Sequence, residues 1–177
     1  MTWRLISVAG ADGGAGEFEM GLDITAYRKV TRTGDQCDDE CDWDGGEFLA
    51  YVNPEFTSAA DGFTNGRFKS EGHEGFAMGG YGGYGFFRER LAELVGNPAV
   101  HVDSPTGRAS NHRPHSLAAW TGVGKPEFAE LINFSDCEGI IGPITAAKLA
   151  KDFADWQPKA DQIGGDFKSR YDKLRRA

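Results

Sequence analysis

The hydrophobic period of this chain changes once along its length, and that change restricts the fold more than any other feature. Between residues 20 and 27 the chain alternates, with Leu22, Ile24 and Ala26 on one side and Asp23, Thr25 and Tyr27 on the other. This is the period-two pattern of a half-buried strand. Further on, apolar residues recur at helical spacing: Phe87, Leu91, Leu94 and Val95 predict a helix over about 83–95, and Gly96 with Pro98 supplies its stop. Pro126 suits a first helical position before Phe128, Leu131 and Ile132, and Pro143 repeats the device for a helix of about 143–156 that ends before Pro158. Phe167, Tyr171 and Leu174, at i, i+4 and i+7, predict a last helix. Strands first and helices afterwards indicate an α+β domain: an N-terminal antiparallel hairpin or small sheet packed against about four C-terminal helices.

The remaining segments are read from their turn chemistry. Phe48 to Asn53 is a second strand, and Gly34 to Gly46 holds too many Asp and Gly residues to be anything but a loop, so the two strands are expected to form a hairpin with a long tip. Residues 54–80 carry Pro54, many glycines and scattered aromatics and show no clean period; they are read as irregular, with room for one short strand. Asn97 to Lys125 is a long excursion that contains three of the four histidines. At the start, a short apolar piece is followed by Ala-Asp-Gly-Gly-Ala-Gly, a composition that turns rather than packs. Residues 1–19 are therefore set apart as an extension or a mis-assigned start, with Met20 as the biological start and 20–177 as one domain. The alternative is that Trp3 to Val8 is a genuine edge strand.

Composition bounds the function. With 177 residues, 40% of them apolar and 12% aromatic, the chain can bury a sizeable core. Three cysteines are too few, and odd in number, for a disulfide framework, which points to a reducing compartment and places the protein in the cytoplasm. The longest apolar run near the start, Leu5 to Ala9, falls far short of the roughly 20 residues that a membrane span needs. A net charge of −8 repels phosphate backbones, so nucleic acid is not an expected partner. The basic residues Lys168, Arg170, Lys173, Arg175 and Arg176 crowd the C-terminus, where they offset the dipole of a last helix; a phosphate-binding tail is the alternative.

Four groups of residues carry candidate chemistry. Gly80-Tyr-Gly-Gly-Tyr-Gly85 matches G-x-G-x-x-G and opens a helix, so its amides could cradle a pyrophosphate. A dinucleotide fingerprint must follow a buried strand in a βαβ unit, however, and Gly75 to Met78 is too short for one. The favoured reading is an entry turn whose Tyr81 and Tyr84 pack on the core. Asp136, Glu138 and Gly139 fall at positions 3, 5 and 6 of a calcium loop, but Phe134 and Thr145 stand where the opening and closing carboxylates belong. A helix-to-helix turn capped by Ser135 or Asp136 fits better. Cys37 and Cys41 with His112 and His115 form two close pairs of zinc-capable ligands at spacings that are permissive and no more. Cys137 lies between two carboxylates, which raise a thiol pKa rather than activate it. Arg88 is either a ligand clamp or, as its neighbours Glu89 and Glu93 suggest, a member of a surface ion pair. No cofactor is expected from these patterns.

Three stretches also carry a resemblance: Met20-Gly-Leu-Asp, Tyr81 to Arg88 leading into Leu91-Ala92, and Leu131-Ile-Asn-Phe-Ser-Asp-Cys-Glu-Gly-Ile-Ile-Gly142. Together they resemble an uncharacterised family of small proteins from bacteria and their phages, whose members show a Met-Gly-Leu-Asp start and a Ser-Asp-Cys-Glu/Asp-Gly block. The resemblance covers about residues 20–175. Gly82 stands where that family usually has serine, and the Cys37/Cys41 loop has no counterpart in it. The resemblance implies one compact domain and a phage or prophage origin, and it transfers no catalytic residue. The expected function is that of a small accessory protein acting by binding a protein partner. The alternative is a metal-dependent or nucleotide-handling enzyme with a site built from Gly80 to Gly85, from His101 to His115, and from Asp136 and Glu138. Its candidate ligand residues are Tyr81, Tyr84, Arg88, Asp136 and Glu138.

Overall fold

The computed structural model describes residues 4–10, 21–35, 46–54, 56–96, 127–133 and 139–176. Seven strands and four helices follow one another as β1 (Arg4–Gly10), β2 (Gly21–Arg28), β3 (Thr31–Gly34), β4 (Glu47–Ala50), β5 (Gly66–Lys69), β6 (Gly72–Gly80), α1 (Tyr81–Leu94), α2 (Ala129–Asn133), β7 (Gly139–Ile141), α3 (Pro143–Ile163) and α4 (Gly165–Arg176). A 3-10 turn, Thr57–Ala60, lies between β4 and β5. The α+β class is as expected from the change of period, with two antiparallel sheets in the N-terminal half and the helices mostly after them.

The first sheet has the order β6-β2-β1-β7 and the second β3-β5-β4. All their pairings are antiparallel. The two sheets are joined by one strand pair. In the first sheet, β2 and β6 pair down to Arg28 with Gly72. Continuing that count gives Lys29 opposite Glu71, Val30 opposite Ser70 and Thr31 opposite Lys69, and the last of these is the first pair of β3 with β5. The register therefore survives the passage between sheets. The bend sits at Lys29, whose φ is 51°. It is bridged by the Glu71 amide donating to the Arg28 carbonyl (3.0 Å) and by a Lys29 to Glu71 ion pair.

Because side chains alternate along a strand, the first sheet presents two faces. On one, Ile24, Met78 and Ile141 join a large cluster with Tyr84, Phe87, Leu91, Phe128, Leu149, Phe153 and Tyr171 from the helices. On the other, Ile140 joins Phe48, Ala50, Ala60 and Phe68, with Tyr27 packed alongside. The Tyr27 and Phe48 rings stack with centroids 3.7 Å apart. The bend thus folds the second sheet back over one end of the first.

Several expectations are corrected. The hairpin between the strand at residue 20 and that at residue 48 does not form: both edges of β2 are occupied, by β1 and β6, and β4 pairs with β5. Residues 54–80 hold more than the one short strand allowed for them: the 3-10 turn, the short β5 and the nine-residue β6. Glycines had hidden the alternation of β6, in which Phe76 and Met78 are buried and Ala77 is exposed. Of the stretch set apart as residues 1–19, Arg4–Gly10 is described, and it is an interior strand: every residue of β1 pairs with β2, and Ile6, Ser7 and Val8 also pair with β7. The third helix does not stop before Pro158 but runs on to Ile163. A proline removes one N–H and crowds the carbonyl four residues earlier. Here Pro158 and Ala154 are both exposed, so that carbonyl can turn to water, while Ala160 is buried and holds the helix to the core.

Candidate functional site

Two kinds of site are built on this frame, one inside around α2 and one outside around α4. The inner one begins with the sequence of α1. Tyr84, Phe87, Leu91 and Leu94 make an apolar stripe, and residue 88, one turn after Tyr84, lies within it. Arg88 is accordingly 4% exposed, inside rather than on the surface, while Arg90 on the exposed side of α1 pairs with Glu93 (2.7 Å). Its guanidinium donates from Nε and Nη2 to the Ile132 carbonyl, at 2.8 and 2.6 Å, and lies 5.7 Å from the centre of the Tyr84 ring. The last carbonyls of a helix have no partner within it, so an arginine ending there satisfies an acceptor that burial would otherwise orphan. Burial pushes the Tyr84 phenol up to about 12, with the charge of Arg88 pulling the other way.

The opposite end of α2 is held from α3. Phe128 is fully buried with a φ of 58°, and its amide donates to Asp152 Oδ2 at 2.9 Å. Asp152 also meets the Lys148 ammonium at 3.2 Å, and Lys148 reaches Glu130 in the first turn of α2. A five-residue helix is too short to be stable by itself. α1 grips one end and α3 the other.

The start of α3 is held in the same manner, by a side chain distant in sequence. Asp61 Oδ2 accepts from the Thr145 amide (2.7 Å) and Oδ1 from the Thr145 hydroxyl (2.9 Å), so a residue after the 3-10 turn performs the capping that Gly142 cannot. The fit requires glycine at 142. A methyl group there would lie 2.5 Å from the Ala60 carbonyl oxygen and 2.6 Å from Asp61 Cβ.

The outer surfaces flank α4. On one side, Gly83, Phe86, Phe87, Arg90, Asp166, Phe167 and Arg170 line a hollow of about 180 Å³ between α1 and α4, with Phe86 at 56% exposure on its rim. Arg170 pairs with Asp166 at 3.0 Å and donates to the Met78 carbonyl, and its guanidinium lies about 3.0 Å from where a side chain at Gly83 would begin. Gly83 in the first turn of α1 thus makes room for an arginine, and Gly79 before it supplies a positive φ of 80°. β6 does precede α1 directly, at greater length than the sequence indicated, but it is an edge strand antiparallel to its neighbour β2. A dinucleotide turn belongs to a parallel βαβ unit.

On the other side, α3 and α4 enclose an open hollow of about 740 Å³. Gln157 stands at its centre: its amide nitrogen donates to Asp161 (2.7 Å) and Asp172 (3.2 Å), and its oxygen accepts from Arg175 (2.7 Å). Lys168 bridges Asp161, at 3.1 Å, and Asp172. The hydrogen bonds from Gln157 and then Lys168 hold Asp161 below the usual carboxylate range, and the bond from Lys168 foremost does so for Asp172.

Of the residues singled out in the sequence, Tyr84 and Arg88 are brought together, facing inward. Tyr81 opens α1. Cys37, Cys41, His112, His115, Asp136, Cys137 and Glu138 lie outside the described residues, as do the loop and the excursion that contain them. The Ser-Asp-Cys-Glu-Gly block leads from α2 into β7 rather than into a helix, and its Gly139 is the first residue of that strand. Among the described residues no three His, Cys, Asp or Glu side chains are gathered as a metal would require, and no helix is long and apolar enough to cross a membrane. Asp61, Asp152, Gly142 and Gln157 were missed. Each acts on a segment far off in sequence or across a helix pair, whereas the burial of Arg88 was legible from its place between Tyr84 and Leu91. No family model matches this chain, and neither a curated protein nor a solved structure matches it.

Proposed function

We propose that this is a small accessory protein of bacterial or phage origin that acts in the cytoplasm by binding another protein. The observation that carries the reading is Phe86. This aromatic ring is more than half exposed, on the rim of a hollow floored by Phe87 and Phe167 and flanked by Arg90 and Arg170. Aromatic and arginine side chains around a small depression are the composition of binding hot spots. The acidic net charge and the resemblance in the Ser-Asp-Cys-Glu-Gly block agree with it. The interior pairing of Tyr84 with Arg88 fits a frame that supports a surface.

Affinity purification of the full chain from the cells that encode it tests this. A stoichiometric protein partner, lost with Phe86→Ser while the variant keeps its melting temperature, is the expected result. Retention of that partner by Phe86→Ser would remove Phe86 from the interface. A co-purifying metal or nucleotide in place of a protein would favour the enzyme alternative.

A further inference from the structure

We propose that the hollow between α3 and α4 receives a short acidic segment of the protein partner. This rests on the protein-binding reading and names the chemistry the partner must bring. The net charge of the chain is −8, yet this hollow is lined by four cations, Lys168, Lys173, Arg175 and Arg176, against two carboxylates, Asp161 and Asp172. Both carboxylates are already engaged by Lys168, and Lys173 has no ion-pair partner among the described residues. The positive surplus is therefore local, and Lys173 is the part of it most open to an incoming carboxylate.

Cations in the last turn of α4 would offset the helix dipole wherever around that turn they pointed. That effect does not account for their direction. Arg175 reaches across to Gln157 on α3, and Lys168 to Asp161 on the same helix, so the basic side of α4 is turned into the hollow and two of its cations span it. Gln157 fixes this arrangement, because its two ends distinguish carboxylates from guanidinium: the amide nitrogen faces Asp161 and Asp172, and the oxygen faces Arg175. Its volume, about 740 Å³, is in the range of hollows that take small ligands or a few side chains.

The choice between an acidic peptide and a nucleic acid follows from screening. At physiological ionic strength a charge is felt over roughly 8 Å. A short acidic segment seated between α3 and α4 experiences chiefly the local surplus. A longer polyanion would extend past it and meet the repulsive field of a chain whose net charge is −8.

The test uses the full chain and a fluorescein-labelled oligoglutamate peptide, followed by anisotropy at low ionic strength, with oligothymidylate of equal charge as the second probe. Saturable peptide binding that weakens with added salt is expected, with affinity about tenfold lower or worse in the double variant Lys173→Glu, Arg175→Glu. The neutral variant Lys173→Gln, Arg176→Gln should show a smaller loss and carries the comparison if the charge-reversed chain does not fold. Absence of saturable binding, equal affinity in the variants, or tighter binding of oligothymidylate would overturn the proposal. Failure here is separable from failure of the broader reading. If the charge-reversed chain still retains the partner captured by the unmodified protein, this hollow is excluded while protein binding stands. If the unmodified chain retains no protein at all, the broader reading falls and the proposal with it.

Discussion

Arg88 and Lys173 are both basic residues on helices of this chain, and their surroundings are opposite. Arg88 is enclosed between α1 and α2, and its guanidinium ends on a backbone carbonyl. Lys173 lies half-buried on the wall of an open hollow, with no ion-pair partner among the described residues. The contrast extends to their neighbourhoods. Around α2 and the start of α3, polar side chains from distant parts of the chain complete helix ends: Asp152 for α2, Asp61 for α3. Around α4, polar side chains bind one another in the presence of water. Removing one of the first kind leaves a buried group unsatisfied, which is costly. Removing one of the second lets water take its place. Polar residues in the interior are therefore structural, and those along α4 are the ones free to serve recognition.

The largest expected effect on the interior side comes from β1. A chain beginning at Met20 lacks the strand that separates β2 from β7 and should lose cooperative unfolding altogether in urea melts followed by circular dichroism; a stable, cooperatively folded product would break the account of the first sheet given above. Next, Arg88→Ala should cost about 3 kcal/mol, since it strands the Ile132 carbonyl and leaves a void. Lys173→Ala should stay within about 0.5 kcal/mol. Equal values for the two would abolish the contrast. At the start of α3, Gly142→Ala should lose about 2 kcal/mol through overpacking against Ala60 and Asp61, and Asp61→Ala about 1 kcal/mol through loss of the cap. Both are read from urea midpoints.

Tyr84 gives the contrast a pH signature. Its folded pKa is raised to about 12 against an ordinary value of 10.0. The unfolded chain thus releases this proton first, so the stability contribution is complete below pH 10 and is lost as pH rises toward 12. Each unit of separation corresponds to about 1.4 kcal/mol. Tyr84→Phe should flatten that alkaline decline in part, and burial raises Tyr171 in the same sense. On the α4 side the sign reverses. Asp172 is lowered, so its contribution is present above the ordinary carboxylate pKa and fades as pH falls through the lowered value. Lys168→Gln should reduce that acid-side slope, leaving the part due to Gln157 and Arg175, the smallest effect of the series, measurable by melting temperature against pH.

What the sequence revealed follows from how local each signal is. Phe87, Leu91 and Leu94 mark α1, and Phe167, Tyr171 and Leu174 mark α4, because a helix writes its buried face at fixed spacing within a few turns. The same stripe places residue 88 inside, and the neighbouring glutamates drew attention away from it. β6 escaped notice because Gly72, Gly75, Gly79 and Gly80 dilute the alternation of Phe76 and Met78. β1 stood only as the alternative, an edge strand over Trp3 to Val8, because a short apolar run followed by glycines reads as a tail. Nothing in one sequence announces that Asp61 will meet Thr145 or that Gly142 must admit the Ala60 carbonyl, since those partners meet only when the chain is assembled. The candidate site was legible to the same degree: the G-x-G-x-x-G match was visible, and the arginine that packs against Gly83 within it comes from α4.

The pairing of β1 with β7 has a consequence for how the chain reaches this structure. Ile6 and Ile141 are strand neighbours far apart in sequence, so the first sheet stays open until β7 has been made. Long-range pairing of this kind delays assembly, because the entropy of bringing the ends together is lost before the contact rewards it. During synthesis β1 must wait, open along one edge, while α1 and α2 are made and until β7 follows them.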